Sequence, residues 1–441
     1  MTTGVVQRDE RTTRPRTRVS PGLARADALR IPLADESADL IVTSPPYFAL
    51  RSYKDHGVHY AGQIGSEETP QAFLEALWAV TAECWRVLKP SGVLAVNLGD
   101  KRSGSGNGPP GASAVVADRG RLGRGSDRFD RAASFGRPRS RMLLPHRFAM
   151  GCEDGFADPD GKGWIVLQDL VWAKLNPLPE SVADRCRDSH EYIFLLAKGP
   201  GFFAAVDEVR EPYVAKANGS VFGGAKAVGT DDLATSSARR QGHNTYDRLN
   251  PLGKIPGSVW SISSEPLVVP DEARERLNLT DHFAAFPTEM ARRLILGWSP
   301  RGVCVKCAAP RRPVADRSLE STGHTNRRSG EAKRDRDGAK DSDRGFNAAG
   351  STVGRAVVTI TGYACDCKDA AAPTRPAVVL DPFAGTGTTV LVANALGRLG
   401  VGIDLSADYL RLARWRIAES GHHHKAVVRT WNEHHVEERL F

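Results

Sequence analysis

Apolar residues in this chain fall into two kinds of run. The short continuous ones are Ala38-Asp39-Leu40-Ile41-Val42, Val93–Leu98, His190–Lys198 and Ala377–Leu380. Their length and unbroken apolar character suit strands buried on both faces. The longer kind is periodic. From Pro70 to Leu88 the residues Phe73, Leu74, Leu77, Trp78, Val80, Ala82 and Trp85 make one apolar helix face, and Lys89-Pro90-Ser91-Gly92 ends it. Leu23 to Thr43 reads as strand, loop, strand, and Trp164–Lys174 as a further ordered segment. A helix is predicted after Pro287, within Ala284–Trp298. From Ala377 onward the pattern is β-α-β-α: AVVLDPF, TTVLVANALG, LGVGIDL, ADYLRLARWRIAES. Strands alternating with helices predict an α/β fold with a mostly parallel sheet.

Four stretches break this pattern. Residues 1–20 are polar and Arg-rich, and are expected to be a disordered basic tail. Residues 101–141 form a Gly/Arg-rich insertion, either idle or ordered by a polyanion. Glu211 to Ser258 is Gly-rich and weakly periodic, and residues 301–376 hold two cysteine pairs around a charged run, Arg317–Arg344.

Composition changes the picture in three ways. The net charge of +8 favours a polyanionic partner. No apolar run approaches the roughly 20 residues a membrane helix needs, and the N-terminus lacks the apolar core of a signal peptide. No membrane role and a cytoplasmic location are therefore expected. The seven cysteines, an odd number without an export signal, argue against a disulfide framework.

Two loops carry the candidate chemistry. Asp381-Pro382-Phe383-Ala384-Gly385-Thr386-Gly387-Thr388-Thr389 joins a strand to a helix. Its glycines permit a tight turn and close backbone approach to a ligand, and no Lys follows as in a P-loop. About twenty residues on, the next strand ends in Asp404, where a carboxylate can bind ribose hydroxyls. The second loop is Thr43-Ser44-Pro45-Pro46-Tyr47, again after a buried strand. Ser44 Oγ and the Pro45 carbonyl are acceptors, the prolines are rigid, and Tyr47 offers a stacking face.

Together these loops resemble the amino-group DNA methyltransferases, which use S-adenosylmethionine. The resemblance extends to RVLKPSG (Arg86–Gly92), WAKLNPLPESVADR (Trp172–Arg185), SHEYIFLLAK (Ser189–Lys198), HFAAFP (His282–Pro287) and the helix residues Tyr409, Ala413 and Arg416. It covers about residues 23–100, 164–210, 255–300 and 376–418. The catalytic loop precedes the cofactor loop, which is similar to the beta class. The resemblance implies a Rossmann-like sheet, circularly permuted and carrying insertions. It implies cofactor contacts at Asp27, Phe286, Pro287, Asp381, Phe383, Gly385, Gly387 and Asp404. The catalytic loop would be Ser44, Pro45, Pro46 and Tyr47, acting on a base flipped out of double-stranded DNA. Residues 21–210 would be the catalytic half, 211–256 the target-recognition region, 257–300 a segment closing on the cofactor, and 377–441 the cofactor-binding half. Within 211–256, Arg239, Arg240, His243, Asn244, Tyr246 and Arg248 are candidates for reading DNA. Ser at position 44 leans toward cytosine N4 over adenine N6. A cognate restriction enzyme is a candidate partner.

Cys84 falls mid-helix, and no Pro-Cys nucleophile follows a comparable strand, which argues against ring-carbon methylation. Cys304/Cys307 have the C-x-x-C spacing of a common zinc half-site and Cys365/Cys367 the less usual C-x-C that can also ligate. Residues 301–376 are therefore expected to be an insertion stapled by one structural zinc, the alternative being four reduced, unpaired cysteines. Two rival readings remain at this stage: methylation of RNA or a protein amide, and a non-catalytic DNA-binding relic. Loop order opposes the first, and intact loops oppose the second.

Overall fold

The computed structural model describes residues 22–49, 54–55, 58–59, 62–103, 139–177, 179, 183–211, 252–277, 286–325, 352–367, 369 and 371–419. Two units are distinguished. The first comprises residues 1–208, 257–311 and 365–441, the second 209–256 and 312–364.

In chain order the first unit begins with β1 (Gly22–Arg25), β2 (Ala38–Thr43) and the short β3 (Lys54–Asp55) and β4 (Val58–His59). Next come α1 (Pro70–Val87), β5 (Leu88–Leu98), α2 (Leu144–Glu153), β6 (Ile165–Lys174), β7 (His190–Ala197) and β8 (Val259–Ile262). Then follow α3 (Asp271–Arg276), α4 (Thr288–Trp298) and β9 (Val303–Cys304). The second unit contributes β10 (Arg312–Thr325) and β11 (Thr352–Ala364). The first unit resumes with β12 (Thr374–Arg375), β13 (Val378–Asp381), α5 (Thr388–Ala395), β14 (Leu399–Asp404) and α6 (Ala407–Ala418).

Eight strands make one sheet in the order β1-β14-β13-β2-β5-β7-β6-β8. All run the same way except β7, which is antiparallel to both neighbours. Alternation within the strands builds the two faces. Ile41, Leu94, Val96, Leu98 and Leu380 join Phe73, Leu74 and Leu77 of α1 and Phe148 of α2 in one core. Leu40, Val42, Val93, Ala95 and Val379 join Met290, Leu294 and Ile295 of α4 and Leu391 and Val392 of α5 in the other. Cover on both faces explains why these strands read as continuous apolar runs. Helix α1 starts where the sequence places it, because Thr69 caps it by accepting from the Ala72 N–H at 3.1 Å, ahead of Pro70. Cys84 is fully buried, and burial pushes its thiol well up, as suits a core residue.

The topology positions the site. From β2 the chain moves to β5 on one side, and from β13 it moves to β14 on the other. The β2/β13 pair, in register at Leu40↔Val379 and Ile41↔Leu380, is therefore the switch point where open α/β sheets bind ligands. Both motif loops leave the carboxyl ends of these two neighbouring strands.

Several boundaries differ from the sequence reading. Helix α2 lies where no element was expected; its Gly151 allows the Trp78 ring to sit where a Cβ would stand, and Trp78 Nε1 donates to Phe148 O at 3.0 Å. Strand β8 extends the main sheet from within the segment assigned to cofactor closure. The segment 301–376 is divided between the two units. Cysteines 304, 307, 365 and 367 belong to the first unit, and only residues 312–364 fall in the second. There β10 and β11 form an antiparallel hairpin from Arg312↔Ala364 to Thr325↔Thr352. The ends of the 101–141 insertion are zipped together: Ser103 N donates to Ser140 O at 2.8 Å and Met142 N to Lys101 O at 2.9 Å. The basic tail 1–20, the interior of that insertion, His282–Ala285, and the recognition candidates Arg239, Arg240, His243, Asn244, Tyr246 and Arg248 lie outside the described residues. Among the described residues no helix is long and apolar enough to cross a membrane.

Candidate active site

A buried aspartate ties the two loops together. Asp381 ends β13 and is fully buried. Its Oδ1 accepts from Thr43 Oγ1 at 2.8 Å, directly before Ser44, and from Phe383 N at 3.0 Å. Its Oδ2 accepts from Thr389 Oγ1 at 2.7 Å, in the first turn of α5. Residues more than 300 positions apart are thus held within one carboxylate's reach. Burial pushes the Asp381 carboxyl up to about 6, against the lowering effect of the hydroxyls and the Phe383 amide, with a further upward push from Asp404. The resemblance implied a cofactor contact here. The geometry also makes Asp381 a brace between the two loops, since its oxygens accept from Thr43, Phe383 and Thr389.

The glycine loop is shaped by α6. Gly385 and Gly387 both adopt positive φ, +49° and +76°, where L side chains are strained. A Cβ on Gly387 would stand 2.9 Å from Ala413 Cβ. The buried Arg416 guanidinium donates to Thr388 Oγ1 at 2.7 Å and Thr386 Oγ1 at 3.1 Å. Tyr409, Ala413 and Arg416 recur at intervals of four and three, so they share the helix face that carries the loop. Helix α5 starts at Gly387 without a side-chain cap, which leaves the amino end of the helix to the loop backbone.

Two acidic residues flank this loop. Asp404 Oδ2 accepts from Gly385 N at 2.9 Å and Oδ1 from Ser406 N at 2.8 Å. Asp27 is exposed at the end of the adjacent β1, where Arg25 pairs with Asp404, and it accepts from Leu29 N at 2.9 Å. Pro287 is buried at the start of α4, and Phe286 packs against the core that contains Leu391 and Val392 of α5. Phe383 and Pro45 line a common small cavity with Thr43, Leu94 and Val96.

The second loop is locked by residues that the sequence reading did not single out. Tyr47 Oη donates to Glu191 Oε2 at 2.6 Å. Asn97 Nδ2 donates to the same oxygen at 2.8 Å, to Tyr47 Oη at 2.9 Å and, at a longer 3.4 Å, to Ser44 Oγ. Lys174 forms an ion pair with Glu191 Oε1 and lies over the Trp172 ring. Gly99 leaves room for the Tyr47 ring, which occupies the space a Cβ would need. Asn97, Glu191 and Lys174 come from β5, β7 and β6, adjacent strands brought together by sheet register. Their signal in the sequence was a polar residue inside or ending an otherwise apolar strand. Asn97 is 3% exposed, and its Oδ1 has no hydrogen-bond partner among the described residues.

The residues present fit a nucleoside cofactor bearing an amino-acid tail: a glycine cradle that a Cβ would disturb, an uncapped helix start, and carboxylates at two adjacent strand ends. This is the layout of an α/β methyltransferase whose acceptor loop and cofactor loop are neighbours.

The DNA methylase family profile matches residues 38–306 and 374–414, and the chain belongs to that family. Its cofactor is S-adenosylmethionine, and its substrate is DNA. Type II methyltransferase M.SmaI of Serratia marcescens is 26% identical over 385 residues, covering 87% of this chain and 86% of that protein. Type II methyltransferase M.XycI of Xanthomonas campestris pv. cyanopsidis is 37% identical over 208 residues, 46% of this chain and 63% of that protein. Among solved structures, PvuII DNA methyltransferase (cytosine-N4-specific) is 14% identical, covers 92% of this chain and 93% of its own, and has a TM-score of 0.47.

Proposed function

We propose that the chain methylates the exocyclic amino group of a base flipped out of double-stranded DNA at a specific site, with cytosine N4 favoured over adenine N6. The observation that carries this reading is the anchoring of Ser44 and Tyr47 by Asn97 and Glu191. Thr43, the preceding residue, is joined to the glycine loop through Asp381. An exocyclic amine is a poor nucleophile because its lone pair is delocalised into the ring. Ser44 Oγ and the Pro45 carbonyl accept its two N–H groups and localise the lone pair. Tyr47 stacks on the base, its ring held by the Glu191 carboxylate. When bound, S-adenosylmethionine supplies an electrophilic methyl on a sulfonium. Gly385, Gly387 and the start of α5 would hold its methionyl end, and Asp404 and Asp27 would hold its ribose and adenine. The braced loops hold donor and acceptor in line, which lowers the barrier by orientation. As the N–C bond forms, the methyl C–S bond would break to leave a neutral thioether, and the amine would release one proton to solvent.

Ser at the first loop position is what favours cytosine. Residues 211–256 are assigned to target recognition. The Type II names of the relatives support a cognate restriction enzyme as partner. Digesting DNA from cells that express the protein and separating the nucleosides by mass spectrometry tests the target base. The reading expects N4-methylcytosine above the background of a Pro45→Ala strain. N6-methyladenine alone overturns the base assignment, and no methylated amino base overturns the reaction.

A further inference from the structure

Four thiols outside the methyl-transfer site converge at the opposite edge of the sheet. Cys304 ends β9, Cys307 follows in the next turn, and Cys365 and Cys367 come directly after β11. Strand β9 pairs with β12 at Cys304↔Thr374, just ahead of the amino end of β13. All four Sγ atoms lie within 4.8 Å of one another. Cys304 to Cys367 is 3.8 Å and Cys365 to Cys367 is 3.3 Å, and none is in a disulfide. A tetrahedral zinc with Zn–S bonds of about 2.3 Å spaces its sulfurs by about 3.8 Å.

The backbone around the thiols is shaped as a knuckle. Ala308 N donates to Cys304 O at 2.9 Å, Cys304 N donates to Ala309 O at 3.0 Å, and Ala308 takes the left-handed conformation at φ 58°. Arg311 Nη2 donates to Asp369 O at 3.0 Å and Ala372 O at 2.7 Å, drawing the two segments together. Cys304 is buried, but apolar packing does not account for the convergence of the other three thiols. Cys307 is exposed, Cys365 and Cys367 are half-buried, and the neighbouring Val305 is 58% exposed. Where the chain leaves from Arg312 and returns at Ala364, β10 and β11 pair as a two-stranded ribbon, a form that is marginal in water by itself.

We propose that Cys304, Cys307, Cys365 and Cys367 bind one zinc ion as a closed tetrathiolate site that clamps together the two chain crossings at which β10 begins and β11 ends. Binding deprotonates the four thiols and releases their protons, with no change of oxidation state. Four sulfurs complete the tetrahedron, so the ion has no open position for substrate and its role is structural. The free energy of metal binding becomes folding free energy for this segment. The inference is independent of the methyl-transfer reading, because the thiols belong to neither loop.

The test uses the full chain. Elemental analysis of purified protein should give about one zinc per chain. Cobalt substitution should give intense sulfur-to-metal charge-transfer bands, which imidazoles such as His422–His424 would not produce. The Cys304→Ser/Cys307→Ser variant should hold no zinc and should become protease-sensitive within 312–364, while still binding S-adenosylmethionine. If that variant fails to fold, chelator treatment of the wild-type protein, read by native mass spectrometry, gives the stoichiometry directly. Four thiols reacting freely with a thiol reagent in native, metal-free, protease-resistant protein would overturn the proposal. Bound iron in place of zinc, or zinc retained by the double variant, would overturn it equally.

Discussion

The two edges of the main sheet each bury an aspartate, and they treat it differently. At the amino edge, Asp39 on β2 pairs with the Lys89 ammonium and accepts from Val378 N at 2.8 Å. It meets a full opposite charge, and β2, β5 and β13 are pinned together by it. At the carboxyl edge, Asp381 on β13 meets two hydroxyls and an amide and, among the described residues, no cation, and its carboxyl is pushed up to about 6. The first arrangement neutralises a charge in order to hold strands. The second leaves a charge held only by dipoles, next to the loops assigned to a cationic sulfonium and a neutral amine. A lysine or arginine paired with Asp381, as Lys89 is with Asp39, would place a fixed positive charge beside that sulfonium.

Breaking the amino-edge pair should have the largest effect on stability. Asp39→Ala leaves the Lys89 ammonium, 14% exposed, without its partner and orphans the Val378 N–H. A loss of about 3–5 kcal/mol is expected in urea unfolding. Asp39→Asn keeps an acceptor for Val378 and should lose less.

The carboxyl edge should respond to pH instead. The folded-state value for Asp381, about 6, lies above the ordinary 3.8. The folded protein therefore holds this proton more tightly than the unfolded chain. The contribution of Asp381 to stability is complete below about pH 4, falls as pH rises through about 6, and stays low above that. Asp381→Asn is nearly isosteric and removes the titration. Relative to wild type it should gain on the order of 3 kcal/mol between pH 4 and pH 8, read from urea midpoints at each pH. Parallel pH profiles for the two proteins would show that Asp381 is not an uncompensated buried acid.

A smaller effect is expected at Gly387. Gly387→Ala places a methyl at φ +76° against Ala413. It should cost about 1–3 kcal/mol in thermal unfolding and weaken cofactor binding measurably. Unchanged affinity would mean that the loop does not approach the ligand through its backbone.

What could be read from the sequence divides along similar lines. Strands β2, β5, β7 and β13 were legible because burial on both faces leaves unbroken apolar runs. Helix α1 was legible from its spacing and stop signal. Helix α2 was not: it follows a long Gly/Arg-rich stretch, begins at Leu143 in the left-handed conformation, and has no side-chain cap to mark its start. Strand β8 is only four residues long and alternates exposed with buried, too short a pattern to stand out. In the site, Ser44–Tyr47 and Gly385–Gly387 were legible as local strings. Asn97, Glu191 and Lys174 were not, because their meeting depends on the register of three strands distributed over nearly a hundred residues. That Asp381 also braces the two loops was not legible either, because its partners Thr43 and Thr389 meet it only in three dimensions.

The central claim is that Ser44–Tyr47 acts on the base while the glycine loop and Asp404 hold the cofactor. Its most direct test measures S-adenosylmethionine affinity by calorimetry and methyl transfer to DNA side by side in Tyr47→Ala, Pro45→Ala and Asp404→Ala. Tyr47→Ala and Pro45→Ala should each lose most methyl transfer while keeping near wild-type cofactor affinity. Asp404→Ala should weaken cofactor binding by about 1.5–3 kcal/mol, roughly a tenfold or greater rise in Kd. Loss of cofactor binding in a folded Tyr47→Ala or Pro45→Ala protein, or wild-type affinity in Asp404→Ala, would contradict this division of labour.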